Sequence, residues 1–171
     1  MGTLFDEAAA TGAPTVVHLD RPFDIAPHGG TRWTLPELAQ LVRATAARLA
    51  AAGVRPGDRV AIVKDGHWDY ELLGCAVVRL GAVPALLSAR LDTADLLTLL
   101  DRLRPAALVT TSALLARCRD GAAPAPAPVL VTLDAAPPGA ARSPAAAAAP
   151  CSRRTARCAP SPPPARPARR R

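Results

Sequence analysis

The sequence predicts an α/β fold: a partial parallel sheet of β-α-β units with flanking helices, followed by a disordered Ala/Pro/Arg-rich tail. Three observations carry this expectation. Short apolar runs alternate with segments of helical period between about Thr31 and Leu133. Those runs are apolar throughout, the pattern of strands buried on both faces of a parallel sheet. After Asp134 the chain has no Leu, Val, Ile or aromatic residue.

Residues 1–30 are loosely patterned, with Pro14, Pro22, Pro27, Gly29 and Gly30, and read as an extended lead-in to which Val16 to Leu19 adds a short strand. Residues 31–134 carry the regular pattern. Thr34-Leu35-Pro36-Glu37 has the form of a capping box, in which Thr34 accepts from the first helical turn and Glu37 reaches back. Leu38, Leu41, Val42, Ala46 and Leu49 recur at helical spacing, and Gly53 is placed to end that helix in a left-handed conformation. Arg55-Pro56-Gly57-Asp58 is a turn, and Arg59 to Val63 a short strand.

The pattern repeats. His67 to Leu80 reads as a helix with apolar residues on most sides, closed by Gly81, and Ala82 to Leu87 as the next strand. Asp92 or Thr93 caps a helix carrying Leu96, Leu97, Leu99, Leu100 and Leu103, which Pro105 stops. Ala106 to Thr110 is a strand, Ser112 to Cys118 a short helix, and a Pro/Ala loop leads to a last strand, Val129 to Leu133.

The chain has 171 residues and a formal net charge of +7, which by itself suggests a nucleic-acid or membrane partner. The charge is not evenly spread. The first 134 residues hold all 14 acidic residues and 13 of the 21 basic ones, whereas residues 135–171 hold eight arginines and no acid. The basic balance therefore belongs to the tail and not to the folded part.

Only seven residue types occur in the tail: Ala, Pro, Arg, Ser, Cys, Gly and Thr. All seven share a G or C at the second codon position, the alphabet that a shifted reading frame produces from a GC-rich gene. The composition also fits a natural Ala/Pro/Arg-rich segment; the frame-shifted origin is the expectation favoured here. Either way, residues 135–171 have little apolar surface to offset the entropy of ordering and are expected to be disordered. Arg166 to Arg171 can contact a polyanion without specificity, since no aromatic residue is present to stack on a base. Cys151 and Cys158 lack the close-spaced partners of a zinc site.

Asp6 and Glu7 stand where a signal peptide carries positive charge, so a cytoplasmic location is expected. Leu72 to Leu87, the most apolar stretch, is interrupted by Arg79, Gly81 and Pro84 and is too short to span a bilayer, so no membrane partner is expected. Cys75 and Cys118 read as reduced thiols, the first in the core and the second near a loop.

Four segments carry a resemblance. Arg32-Trp33-Thr34-Leu35-Pro36-Glu37-Leu38 resembles the first core motif of the adenylate-forming superfamily, the AMP-dependent synthetases and ligases that include acyl-CoA synthetases. Gly53-Val54-Arg55-Pro56-Gly57-Asp58-Arg59-Val60-Ala61 is similar to the next stretch of those enzymes, and Arg79-Leu80-Gly81-Ala82-Val83-Pro84-Ala85-Leu86-Leu87 to their second core motif. Leu103 to Thr111 resembles the helix-to-strand passage that follows. The matches run in order from Thr31 to Leu133, closer in tone to acyl- or aryl-acid activators than to peptide-synthetase modules.

The resemblance implies ATP-dependent activation of a carboxylate through an acyl-adenylate, with ATP, magnesium and coenzyme A as the complete family's cofactors. It also implies a Thr/Ser/Gly-rich phosphate loop with a lysine, a Thr-Glu pair, a ribose-binding Asp and a mobile C-terminal domain. None of these has a counterpart here, and the single lysine is Lys64. The expectation is a truncated fragment of a carboxylate-activating synthetase that is inactive alone and needs no cofactor. Two alternatives stay open: a stand-alone α/β module binding a nucleotide or a partner, and a basic-tailed protein binding nucleic acid or another polyanion.

Lys64-Asp65-Gly66-His67 follows a strand and opens a helix, where α/β sheets often place ligand groups. Its two readings are a phosphate contact by Lys64 at the helix start and, favoured because the glycines for close phosphate approach are missing, a polar turn. His18 and His28 read as solvated, and Trp33, Trp68 and Tyr70 as packing residues. No catalytic, cofactor-binding or metal-ligating residue is assigned.

Overall fold

The computed structural model describes residues 1–120 and 127–133. The chain divides into two units, Met1–Gly139 and Ala140–Arg171, and every described residue lies in the first. The expectations for the tail, residues 135–171, and for most of the Pro/Ala loop fall outside the described residues.

Four parallel strands form the sheet: β3 (Arg59–Lys64), β4 (Val83–Ser88), β5 (Ala107–Thr110) and β6 (Val129–Thr132). Their order across the sheet is β4-β3-β5-β6. Val60 pairs with Pro84 on one side and Ala107 on the other, and Leu108 pairs with Leu130. The α/β class and the parallel sheet expected from the sequence are both present.

The helices between the strands take opposite faces. β3 shows why its run is apolar throughout: Val60 and Ile62 enter one core while Ala61 and Val63 enter the other. The first core receives α2 (Leu35–Ala51) through Leu38, Val42 and Leu49, and α3 (Asp69–Arg79) through Leu72, Leu73 and Val77. The second receives α4 (Thr93–Leu103) through Leu96 and Leu100, and α5 (Ser112–Asp120) through Leu114 and Leu115. Because α3 and α4 cover different faces, the strand order reverses between β3 and β5, the place where open α/β sheets form a crevice at their carboxyl ends.

The capping box forms as expected. Thr34 N–H donates to Glu37 Oε2 at 2.7 Å, and Glu37 N–H donates to Thr34 Oγ1 at 3.5 Å. Asp92 is the residue that caps α4, accepting from the Ala94 N–H at 3.0 Å. Gly53, at φ +103°, ends α2 in a conformation that a side chain would strain. At the end of α4 the same role falls to Arg104, at φ +48°, just before Pro105.

The extended lead-in expected over residues 1–30 is corrected at its start. Leu4–Ala10 forms a helix, α1, although none of its residues is fully buried. Tertiary contacts hold it: Asp6 binds both Arg43 of α2 and Arg79 of α3, and Phe5 meets Trp68 edge-on at 6.2 Å. The Asp6 carboxyl sits below its ordinary value, because the two guanidinium groups outweigh the opposing effect of burial. The short strand expected at Val16 to Leu19 is present as β1 (Val16–His18), paired antiparallel with β2 (Arg32–Thr34), a strand the sequence pattern did not show.

Smaller shifts have local causes. α3 starts at Asp69 rather than His67, because the side chains of His67 and Trp68 pack on Phe23. β3 runs on through Lys64, which pairs with Ser88. Cys118, expected near a loop, is buried in the second core, and Cys75 is buried in the first. Burial raises both thiols, which disfavours the thiolate form.

Candidate functional site

The polar turn singled out in the sequence lies at the C-terminal end of β3, where the strand gives way to α3. Lys64, the last residue of the strand, points into the first core with its side chain wholly buried. A lone ammonium there would be very costly. It is instead matched twice, Nζ lying 2.6 Å from Asp69 Oδ1 and 2.7 Å from Asp24 Oδ2. A third contact goes to the Asp65 carbonyl at 3.1 Å, and the Tyr70 ring centroid is 5.3 Å away.

Each partner is placed by a different part of the chain. Asp69 is the first residue of α3 and is fully buried; its other oxygen, Oδ2, accepts from the Asp24 N–H at 2.8 Å. Asp24 comes from the lead-in, carried there by Phe23, which is wholly buried between Trp33, Trp68 and His67 with ring centroids 5.4, 6.0 and 5.5 Å away. Partial burial pushes the Asp24 carboxyl up, but the Lys64 ammonium, helped by Arg21, outweighs it and holds the group below its ordinary value. Tyr70 closes the arrangement. Its hydroxyl accepts from the Lys64 N–H at 3.1 Å and faces the carbonyls of Lys64 and Leu87. Burial raises the phenol, so it stays protonated.

The network borders a cleft of about 480 Å³, whose lining includes Lys64 and Tyr70 together with His67, Trp68, Glu71 and Leu86. A smaller one of about 260 Å³ lies over the other face, between Asp65, Thr111 and Arg117. Arg117 donates from Nη2 to the carbonyls of Ala89 and Leu91 at 3.0 and 3.2 Å. Lys64 and Arg117 therefore do not converge: Lys64 is buried on one side of the sheet, while Arg117 belongs to a helix on the opposite face. Among the described residues there is also no group of three His, Cys, Asp or Glu side chains that could hold a metal ion.

Of the residues singled out in the sequence, Lys64, His67, Trp68 and Tyr70 meet here, and His67 is nearly buried. Trp33 joins them through Phe23. His18 and His28 are exposed and lie apart from the turn. Phe23, Asp24 and Asp69 were missed. Only Asp69 had a local signal, an acid five residues beyond the lysine.

Comparison with known proteins decides the lineage. The profile of the family described as "AMP-binding enzyme" matches residues 5–168. The chain belongs to the AMP-binding enzyme family. It is 49% identical over 116 residues to 3-amino-2-hydroxy-4-methoxybenzoate diazotase of Streptomyces cremeus, a match covering 68% of this chain and 21% of that protein. Feruloyl-CoA synthase of Amycolatopsis sp is 45% identical over 69 residues, covering 40% of this chain and 14% of that enzyme. Among solved structures, the Mycobacterium tuberculosis fatty acyl CoA synthetase superposes with a TM-score of 0.62 at 20% identity, covering 77% of this chain and 26% of the other. This AMP-binding family member thus spans about a fifth of the length of the diazotase it resembles. The N-terminal, adenylate-forming resemblance seen in the motifs is the relationship the comparisons give. Among the described residues, no helix of the chain is long and apolar enough to cross a membrane.

Proposed function

We propose that this chain provides the N-terminal scaffold of an enzyme that activates an aromatic carboxylate as its adenylate, and that alone it performs no turnover. The observation that carries the second part is the state of Lys64. The only lysine of the chain is committed to Asp24 and Asp69 inside the core and presents no charge to a nucleotide. Phosphoryl chemistry needs preplaced cations around the reacting phosphate, and the described residues do not fit that requirement. ATP, magnesium and coenzyme A, the family's cofactors, are accordingly assigned to the complete enzymes and not to this chain. The aromatic acid is suggested by two relatives whose names specify a substituted benzoate and a feruloyl group.

The test is ATP–pyrophosphate exchange with the purified chain and ferulate as the probe acid, together with calorimetric titration of ATP. Neither exchange above the protein-free rate nor micromolar binding is expected. Exchange dependent on ferulate would show a working site and refute the reading. Micromolar ATP binding without exchange would favour a stand-alone nucleotide-binding module. Binding to DNA that weakens with salt and disappears on deletion of residues 135–171 would point to the arginine-rich segment instead.

A further inference from the structure

We propose that His67 is a proton-dependent latch: with both ring nitrogens protonated it bridges Asp20 and Asp69 and holds the loop Asp20–Ile25 over the end of β3.

The His67 side chain is only 6% exposed, and its two nitrogens face carboxylates on opposite sides. Nδ1 lies 3.3 Å from Asp69 Oδ1, and Nε2 lies 3.5 Å from Asp20 Oδ1. Neither contact has hydrogen-bond geometry, so both buried nitrogens lack a hydrogen-bonding partner. A neutral imidazole has one N–H and one lone pair. In either tautomer the lone pair would face a carboxylate oxygen, a repulsive contact that burial makes worse. The doubly protonated ring replaces that repulsion with charge attraction to both acids.

The surrounding charges support this form. The loop contributes Asp20 and Asp24, and α3 contributes Asp69. The opposing cations are already matched, Lys64 by Asp24 and Asp69, and Arg21 by Asp24. The Phe23 ring packs on the imidazole at 5.5 Å and confines it. Asp20 is the releasable end, 85% exposed and also accepting from the Arg21 N–H at 2.9 Å, so loss of the Nε2 proton turns its contact from attraction to repulsion while Nδ1–H stays on Asp69.

The Asp24 amide reports on the loop, since it donates to Asp69 Oδ2. The experiment uses the whole chain, with ¹⁵N NMR of the histidine rings and hydrogen-exchange protection factors, which correct for the intrinsic pH dependence of exchange. Of the three histidines, His18 and His28 are exposed and serve as internal references. At about pH 5.5, below the ordinary histidine range, both His67 nitrogens should read as protonated and the Asp24 amide should be protected. At about pH 8.5 protection should fall roughly two- to fivefold, the range of one solvent-exposed ion pair. Asp20→Asn, an exposed change that leaves the core intact, should remove most of that pH dependence, and His67→Gln should remove it where the variant folds. A singly protonated His67 ring at the lower pH, or the same pH dependence in Asp20→Asn, would overturn the proposal.

Discussion

Lys64 and Asp69 meet inside the fold, Nζ to Oδ1 at 2.6 Å, with neither side chain exposed to solvent. The pair closes the turn between β3 and α3, and Asp24 ties the lead-in to it from outside. A pair of this kind is weak evidence for stability, because desolvating two charges costs about as much as their attraction returns. Its consequence is asymmetry: either charge alone, left in that place, is strongly unfavourable. The same pairing leaves the side chain of the chain's one lysine with no exposed surface.

Lys64→Met should therefore destabilise the chain by about 3–5 kcal/mol, the cost of leaving a buried carboxylate without its cation. Urea unfolding followed by circular dichroism measures it. The double change Lys64→Met with Asp69→Asn should recover part of the loss, since no uncompensated buried charge remains at position 69. Equal stability of Lys64→Met and the parent chain would mean that the pair is not formed.

Asp24 gives the pair a pH dependence whose sign is fixed. Burial acts to raise its carboxyl, but Lys64 and Arg21 prevail and hold it below the ordinary value in the folded chain. The folded state thus favours the charged form more than the unfolded state does. The resulting stabilisation is complete above the ordinary carboxylate range near ~4 and is lost as pH falls through the lower folded value. Asp24→Asn should melt below the parent chain at neutral pH, and the gap should narrow as pH falls below the ordinary carboxylate range. Calorimetric melting of both proteins across that range checks it; a gap independent of pH would exclude the mechanism.

These two residues also mark how far the sequence could be read. The helices α2 to α5 and strands β3 to β6 were legible because local period and capping residues act within a few positions, as Thr34 with Glu37 does. α1 was not, because Leu4–Ala10 buries no full side chain and owes its place to Asp6 meeting Arg43 and Arg79 far along the chain. β2 was hidden because Arg32–Thr34 is short and its pairing partner lies before a run of turns. At the turn, Lys64 and His67 drew notice through their position between strand and helix. Asp24 carried no signal of its own: it bonds a residue 45 positions away and reaches it only because Phe23 is buried first.

Phe23→Ala should be the most damaging change in the lead-in. The ring is wholly buried and is flanked by Trp33 and Trp68, the only two tryptophans of the chain. Truncating a buried phenylalanine costs about 3–5 kcal/mol, and here it also frees the segment that delivers Asp24. Tryptophan emission of the folded variant should shift to the red as water reaches the buried Trp33 indole, and the urea midpoint should fall. Unchanged emission would mean that the lead-in does not pack on the end of the sheet.

Tyr70→Phe isolates the last member of the network. The Tyr70 hydroxyl takes the place of a ladder bond at the end of β3 and β4, accepting from the Lys64 N–H and facing the carbonyls of Lys64 and Leu87. Removing one oxygen leaves the ring in place but strips a partly buried amide and two carbonyls of their common partner. A buried polar group left unsatisfied costs about 1–3 kcal/mol, so the variant should fold with stability reduced by roughly that amount. The change should be local as well. Amide exchange at Lys64 should accelerate well beyond that at Ile62, whose amide lies one ladder step back in the strand interior. Equal acceleration at both positions would mean that the hydroxyl supports the sheet as a whole rather than splicing its end.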